Sequence, residues 1–302
     1  MINKKYFIIT FFVLIFGCNS DNDIPQNGTT NGATILFGGK ITDIVSKAIT
    51  DGTSFPDKTT IGIFGWGHHK DNANNQAIRK DLNNSQYTKT TGSDEFTCDP
   101  HAHYPVNPDT LLNFYAYYPY SATAKDTPLS IPFELKKQED IMWATPVENR
   151  SKASSEETVN LSFNHILSAI TLKFKKADDI KEDMILQSVS MENYPSTILL
   201  NVQTGELSGN ASTSPFTFIE KLDKAITSTE TTIVTDYLLY PVEKPVFIVR
   251  MSDKDYRIES KKAFEKGKKQ TYTFTIQASD ITLSGSINPW VDGGTSNETV
   301  YF

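Results

Sequence analysis

Apolar positions recur along this chain in short runs, either unbroken or alternating with polar residues, and turn-forming clusters separate them. The runs fall at residues 33–37, 60–66, 111–118, 159–163, 169–174, 185–194, 198–202, 237–240, 246–251, 270–276 and 281–287. Thr, Ile, Val, Tyr and Phe dominate them, which with the period-two alternation predicts β-strands. Asp51-Gly52, Asn107-Pro108-Asp109 and Thr204-Gly205 mark turns between them. No long window carries a helical period. Many short strands with frequent turns point to β-sandwiches rather than to a parallel α/β sheet.

Two polar stretches interrupt the pattern. Residues 70–85, rich in Asn and charge, are expected to form a long loop with one helical turn. Residues 148–157 (ENRSKASSEE) separate two strand-rich halves. The expected organisation is therefore a leader over residues 1–17, a tether over 18–32, a first β-sandwich domain over 33–153 and a second over 154–302.

The leader is expected because Lys4 and Lys5 precede an apolar run over residues 6–16, too short to span a membrane core that needs about 20 helical residues. Ile15-Phe16-Gly17-Cys18 follows and resembles the bacterial lipobox, which predicts acylation at Cys18. More than one acyl chain on that cysteine gives stable anchoring at about 0.8 kcal/mol per buried methylene. Residues 19–30 (NSDNDIPQNGTT) lack the apolar side chains needed to offset ordering, so they predict a flexible tether. The cluster Ser20-Asp21-Asn22-Asp23 resembles surface-export signals of Bacteroidetes lipoproteins.

The 302 residues carry 29 basic and 36 acidic side chains, a net charge of -7. Loss of the leader takes Lys4 and Lys5 and moves the charge to -9. Nucleic acid is excluded as a partner, because its binding relies on clustered Lys and Arg, and the short basic runs here sit beside acids. With Cys18 lipidated, Cys98 alone remains of the two cysteines, so no internal disulfide is expected.

No Gly-x-Ser-x-Gly, His-Glu-x-x-His, phosphate-binding glycine loop or Cys-x-x-Cys occurs. No catalytic residue, cofactor or metal site is therefore assigned, although His68-His69 and His101-x-His103 would be the residues to watch for a metal. The aromatic run Phe114-Tyr115-Ala116-Tyr117-Tyr118-Pro119-Tyr120 either fills a core or, if exposed, stacks on sugars together with Trp66, Trp143 or Trp290. Asp109-Thr110-Leu111 fits a short O-glycosylation pattern of the Bacteroidetes.

Several segments together resemble the fimbrillin family of the Bacteroidetes, the lipoprotein precursors of surface fimbriae. They are Asp51–Pro56 (DGTSFP) with Ile61-Gly62-Ile63-Phe64, then FYAYYPY over 114–120, Leu161–Ser168 (LSFNHILS) and ITLSGSINPW over 281–290. The resemblance implies two transthyretin-like Greek-key β-sandwich domains in tandem, outer-membrane delivery as a lipoprotein, and surface proteolysis that removes the first strand. A strand from a neighbouring subunit then fills the groove, so other fimbrial subunits or copies of the chain become partners, with a host or bacterial surface receptor beyond them.

Carried onto this sequence, the resemblance implies that the removable strand is residues 33–37 or its continuation to Val45, with the cut between Lys47 and Ala48. Relatives cut by an arginine-specific protease have Arg there, and here no Arg precedes Arg79. The donated strand is either 281–287, with Ile281, Leu283 and Ile287 on one face, or the tail at Val300-Tyr301-Phe302. The competing class is a monomeric surface lipoprotein that binds glycans, and burial of the aromatic rings separates the two. A hydrolase would instead need two carboxylates facing each other across a cleft.

Overall fold

The computed structural model describes residues 32–42, 54–252, 254–277 and 281–289. These are all-β, with short 3-10 turns at 80–82, 122–126, 135–137 and 152–154. The first ten strands are β1 (Phe37–Ile41), β2 (Thr60–His69), β3 (Asn72–Ile78), β4 (Ser85–Lys89), β5 (Glu95–Thr97), β6 (Thr110–Tyr118), β7 (Ile131–Glu134), β8 (Met142–Thr145), β9 (Val147–Arg150) and β10 (Val159–His165). The remainder are β11 (Ser168–Lys176), β12 (Met184–Met191), β13 (Thr197–Leu200), β14 (Leu207–Gly209), β15 (Phe216–Ile219), β16 (Lys224–Ile226), β17 (Thr231–Leu239), β18 (Val246–Met251), β19 (Lys254–Glu259), β20 (Lys268–Ile276) and β21 (Ile281–Pro289).

The first sheet runs β3-β2-β4-β5-β1-β10-β8-β6-β9, and β2 also pairs with β6. That extra ladder joins β2, β4, β5, β1, β10, β8 and β6 into a closed ring of seven strands, with β3 and β9 attached outside it. Closure removes the free edges that an open sheet would expose. The open sandwich expected for the first half is thus replaced by a barrel-like ring. β10 lies in this ring, paired with β1 and β8, although it falls beyond the boundary expected at 153/154.

The second half holds a four-stranded sheet, β17-β11-β20-β21, facing a five-stranded one, β15-β12-β18-β19 with β16 on β12. A small sheet, β14-β13-β7, hydrogen-bonds the two halves together.

Alternation decides which side chain goes where. Along β6, Leu112, Phe114 and Ala116 point into the ring, whereas Tyr115 and Tyr117 point outward and join Phe64, Trp66 and the apolar residues of the second half. Phe114, Tyr115 and Tyr117 are therefore buried, on both faces of β6, while Tyr118 and Tyr120 are half-buried. Gly62 on β2 lies opposite Tyr117, and a Cβ there would come within 2.2 Å of the tyrosine ring, so glycine is the residue that lets the ring lie flat on the backbone.

The polar stretch 70–85 departs from its expected loop. Asn72–Ile78 extends the β2 hairpin as β3, exposed or half-buried throughout, and one 3-10 turn follows at Lys80–Leu82. Cross-strand pairing with β2 makes it a strand, a cause invisible in a segment with no buried face.

Candidate functional site

The strand whose removal the family resemblance implies is a stave of the closed ring. β1 runs parallel to β10 over five residues, from Phe37 opposite Val159 to Ile41 opposite Phe163, and antiparallel to β5 on its other side. The hydrogen bonds continue past its ends, with Ile35 N–H donating to Ala102 O at 2.9 Å and Thr42 N–H to Phe163 O at 2.9 Å. The strand observed, Phe37–Ile41, starts at the last residue of the 33–37 run. Gly38 and Gly39 hide it from a propensity reading, because glycine is a poor strand former.

Ile35, Phe37 and Ile41 are each at most 2% exposed inside the ring. The Phe37 ring meets Tyr87 and Phe114 edge-on, with centroids 5.0 and 5.1 Å apart. Phe55 meets both Phe96 and Phe163 edge-on at 5.7 and 5.0 Å, forming the floor beneath Gly39. On the outer face Lys40 forms an exposed pair with Asp94 at 3.6 Å. Burial pushes the Tyr87 hydroxyl well above its usual range, so it stays protonated and neutral inside this core.

Cys18, Lys47 and Ala48 lie outside the described residues, as do Trp290 and the Val300-Tyr301-Phe302 tail. Ile281, Leu283 and Ile287 lie on β21, an edge strand that pairs with β20 along nine residues. Ile281 is buried, while Leu283 and Ile287 are half-buried.

The histidines watched for a metal do not converge: His101 is exposed, and His103 is held through its backbone. His68 is buried in β2 with its Nδ1–H donating to His69 O at 3.1 Å, His69 faces Asp71 at 3.5 Å, and His103 bridges to Thr34. Among the described residues no three His, Cys, Asp or Glu side chains gather where a metal ion could be held. Cys98 is half-buried, and burial, followed by the charge of Asp99, pushes its thiol upward. Thr110 is 4% exposed at the start of β6, which closes its hydroxyl to glycosylation in the folded chain.

Of the aromatic rings weighed for sugar stacking, Trp66, Phe114, Tyr115 and Tyr117 are buried, and Trp143, Tyr118 and Tyr120 are half-buried. Trp66 is 6% exposed and packs edge-on against Tyr115 at 5.0 Å. Trp143 is half-buried, its Nε1–H donating to Val202 O at 2.7 Å, with Gly205 pressed on one part of the ring and the Lys266 ammonium 5.8 Å from its centre. Sequence reading missed a buried pair, Asp140 and His165, joined through His165 Nδ1 at 2.8 Å, which ties the end of β10 to the turn before β8.

A model of the fimbrillin-like family matches residues 46–290. The chain belongs to that family. The match begins just beyond β1, beside Lys47 and Ala48, and takes in β21. Solved structures similar to this fimbrillin-like chain include a candidate cell adhesion protein of Bacteroides ovatus, with TM-score 0.56 and 19% identity over 87% of this chain and 99% of that one. Another, from Bacteroides uniformis, has TM-score 0.52 and 20% identity over 87% and 100%. A fimbrial protein of Bacteroides vulgatus aligns with TM-score 0.53 and 12% identity over 85% and 99%. At these identities the likeness establishes a shared fold. No curated protein matches the chain.

Proposed function

We propose that this fimbrillin-like chain is a subunit of a surface fimbria or an adhesin, a structural protein that acts by association rather than by catalysis. In this reading it reaches the outer membrane as a lipoprotein acylated at Cys18, and a cut between Lys47 and Ala48 releases β1. In this reading the second half is a transthyretin-like Greek-key sandwich and the first a closed, barrel-like relative of it, with the boundary near Ile166-Leu167, because β10 completes the first unit.

The observation that carries the reading is the position of β1 within the closed ring, hydrogen-bonded on both sides and buried on its inner face. Phe37 and Ile41 of this strand, with Ile35 just before it, stabilise the ring by roughly 5–9 kcal/mol in total, at about 1.5–3 kcal/mol each. Removing it leaves an apolar groove bordered by two unpaired strand edges, which a strand from another subunit can satisfy by main-chain hydrogen bonds and side-chain fit. A head-to-tail contact of this kind does not close on itself, so it propagates a filament. Burial of Trp66, Tyr115 and Tyr117 removes most of the stacking platform that a glycan-binding role would use.

The test is the N-terminus of the mature protein, determined by mass spectrometry on surface material from its native host and paired with unboiled gel electrophoresis. A chain that begins at Ala48 and runs as a detergent-resistant ladder supports the reading. A chain that begins at acylated Cys18 and runs only as a monomer refutes assembly by strand release.

A further inference from the structure

Away from the ring, a cleft of about 510 Å³ opens between the β13–β14 hairpin, the loop before β7, the end of β17 and the turn before β20. Its apolar wall is formed by Leu129, Leu207, Tyr240 and Pro241, and Leu129 is 51% exposed. Asn201, Glu206, Ser208 and Lys266 supply the polar groups. A concave, largely apolar site with a few convergent polar side chains is the usual form of a small-ligand site, and the volume lies within the usual range of about 300–1,000 Å³.

The hairpin side of the cleft is pinned in place. Asn201 N–H donates to Glu206 O at 3.0 Å, and Gly205 N–H donates to Asn201 O at 2.8 Å. Gly205 has φ +70°, and a Cβ there would come within 2.5 Å of the Trp143 indole, so glycine lets the turn lie directly on that ring. Val202 accepts from Trp143 Nε1–H at 2.7 Å and donates from its own N–H to Pro128 O at 3.1 Å, which fixes the loop that carries Leu129.

Lys266 is the charge that this arrangement leaves unmatched. Its Nζ donates to Gly205 O at 2.8 Å and lies 5.8 Å from the centre of the Trp143 ring, and it forms no ion pair among the described residues. Loss of water around the ammonium lowers its pKa, with the more distant Glu206 carboxylate opposing. A cation partly stripped of water and without a counter-ion favours an anion that enters the cleft. Asn201 Oδ1 accepts from the Gln203 N–H at 3.0 Å, so its amino group remains as a donor. Glu206 and Ser208 are exposed and offer a carboxylate acceptor and a hydroxyl.

We propose that this cleft binds an acidic sugar residue, with its carboxylate on Lys266, the apolar face of its ring against Tyr240 and Pro241, and its hydroxyls on Asn201, Glu206 and Ser208. The proposal rests on the adhesin reading above and names the chemistry of the receptor. A fatty or aromatic carboxylate would satisfy Lys266 and the apolar wall but leave the three other polar side chains without partners. A neutral sugar would leave the ammonium unpaired. The site is a walled cleft for one ring rather than a platform of exposed aromatic residues, so the burial of Trp66, Tyr115 and Tyr117 does not bear on it.

Saturation-transfer NMR titrations at low salt test this on the full chain, purified in detergent from its native host. The probes are methyl glucuronide, the methyl glycoside of N-acetylneuraminic acid, and methyl glucoside, which has a hydroxymethyl group where the glucuronide has its carboxylate. At least one acid should bind about tenfold or more tighter than the glucoside, as one charge-assisted hydrogen bond would give, and which acid binds separates a hexuronic from a nonulosonic source. Lys266→Met keeps the stem beside Trp143 and should abolish the preference, while the urea midpoint stays within about 0.3 M of wild type. If that variant does not fold, Leu129→Glu decides: it sets a like charge at the exposed mouth and should weaken the acid by about fivefold or more. Equal binding of acid and glucoside, no binding of either acid up to about 10 mM, or unchanged acid binding in the deciding variant overturns the proposal. A chain that forms an unboiled ladder but binds neither acid removes this site and leaves fimbrial assembly standing, whereas acid binding without a ladder does the reverse.

Discussion

Replacing Phe37 by alanine tests whether β1 is a working part of the first core. The ring is 1% exposed and lies edge-on between Tyr87 and Phe114, themselves 2% and 0% exposed. Neighbours so enclosed cannot collapse into the space, so the loss should reach at least the middle of the usual range for phenylalanine truncation, about 4 kcal/mol. With a urea dependence of about 2 kcal/mol per molar, the midpoint of the first unfolding transition should fall by about 2 M. The assay is equilibrium urea unfolding of the uncut chain followed by tyrosine and tryptophan signals. Leu36→Ala supplies the internal control: Leu36 is the next residue but 46% exposed, so its truncation should stay within about 0.5 kcal/mol. A loss below about 1 kcal/mol for Phe37→Ala would mean that β1 adds little to the core, and the release of this strand would then open no groove worth filling.

Two further perturbations probe the frame around β1. Arg79 is 1% exposed, holds Asp81 through Nε and Nη2, and donates from Nη1 to His103 O at 2.7 Å, so Arg79→Lys keeps the charge but loses the fork and should cost roughly 2–4 kcal/mol in thermal or urea unfolding. A cost near zero would show that the guanidinium fork contributes nothing. Burial raises the carboxyl of Asp140 above its ordinary 3.8, with His165 opposing, so the folded chain holds this proton to higher pH than the unfolded chain. Its contribution is complete below 3.8 and declines as pH rises through the raised value. Urea midpoints measured from about pH 4 to about pH 7 should therefore show the wild type losing stability relative to Asp140→Asn as pH increases. A constant difference would contradict the burial effect.

Strand identity was legible in the sequence where buried apolar and polar residues alternate locally, as in β20 and β21, and where β-branched and aromatic residues run together, as in β2 and β6, which are buried on both faces. The family was legible too, because its turn and core segments are short and contiguous. β3 was not, since Asn72–Ile78 buries no face and is a strand only through its pairing with β2. β1 was placed a few residues early because its two glycines suppress the strand signal, and the reason for one of them, the Phe96 ring, lies 57 positions along the chain.

The sequence by itself determined the strand periodicity and the turns at Asn107-Pro108-Asp109 and Thr204-Gly205, because these depend on neighbouring residues. Closure of seven strands into a ring, the enclosure of β1 between β5 and β10, and the burial of Phe114, Tyr115 and Tyr117 on both faces of β6 were decided by tertiary structure. Each depends on which distant strand edges meet. Many pairings satisfy the same backbone donors and acceptors, and only the simultaneous packing of side chains such as Phe37, Phe96 and Phe163 selects among them.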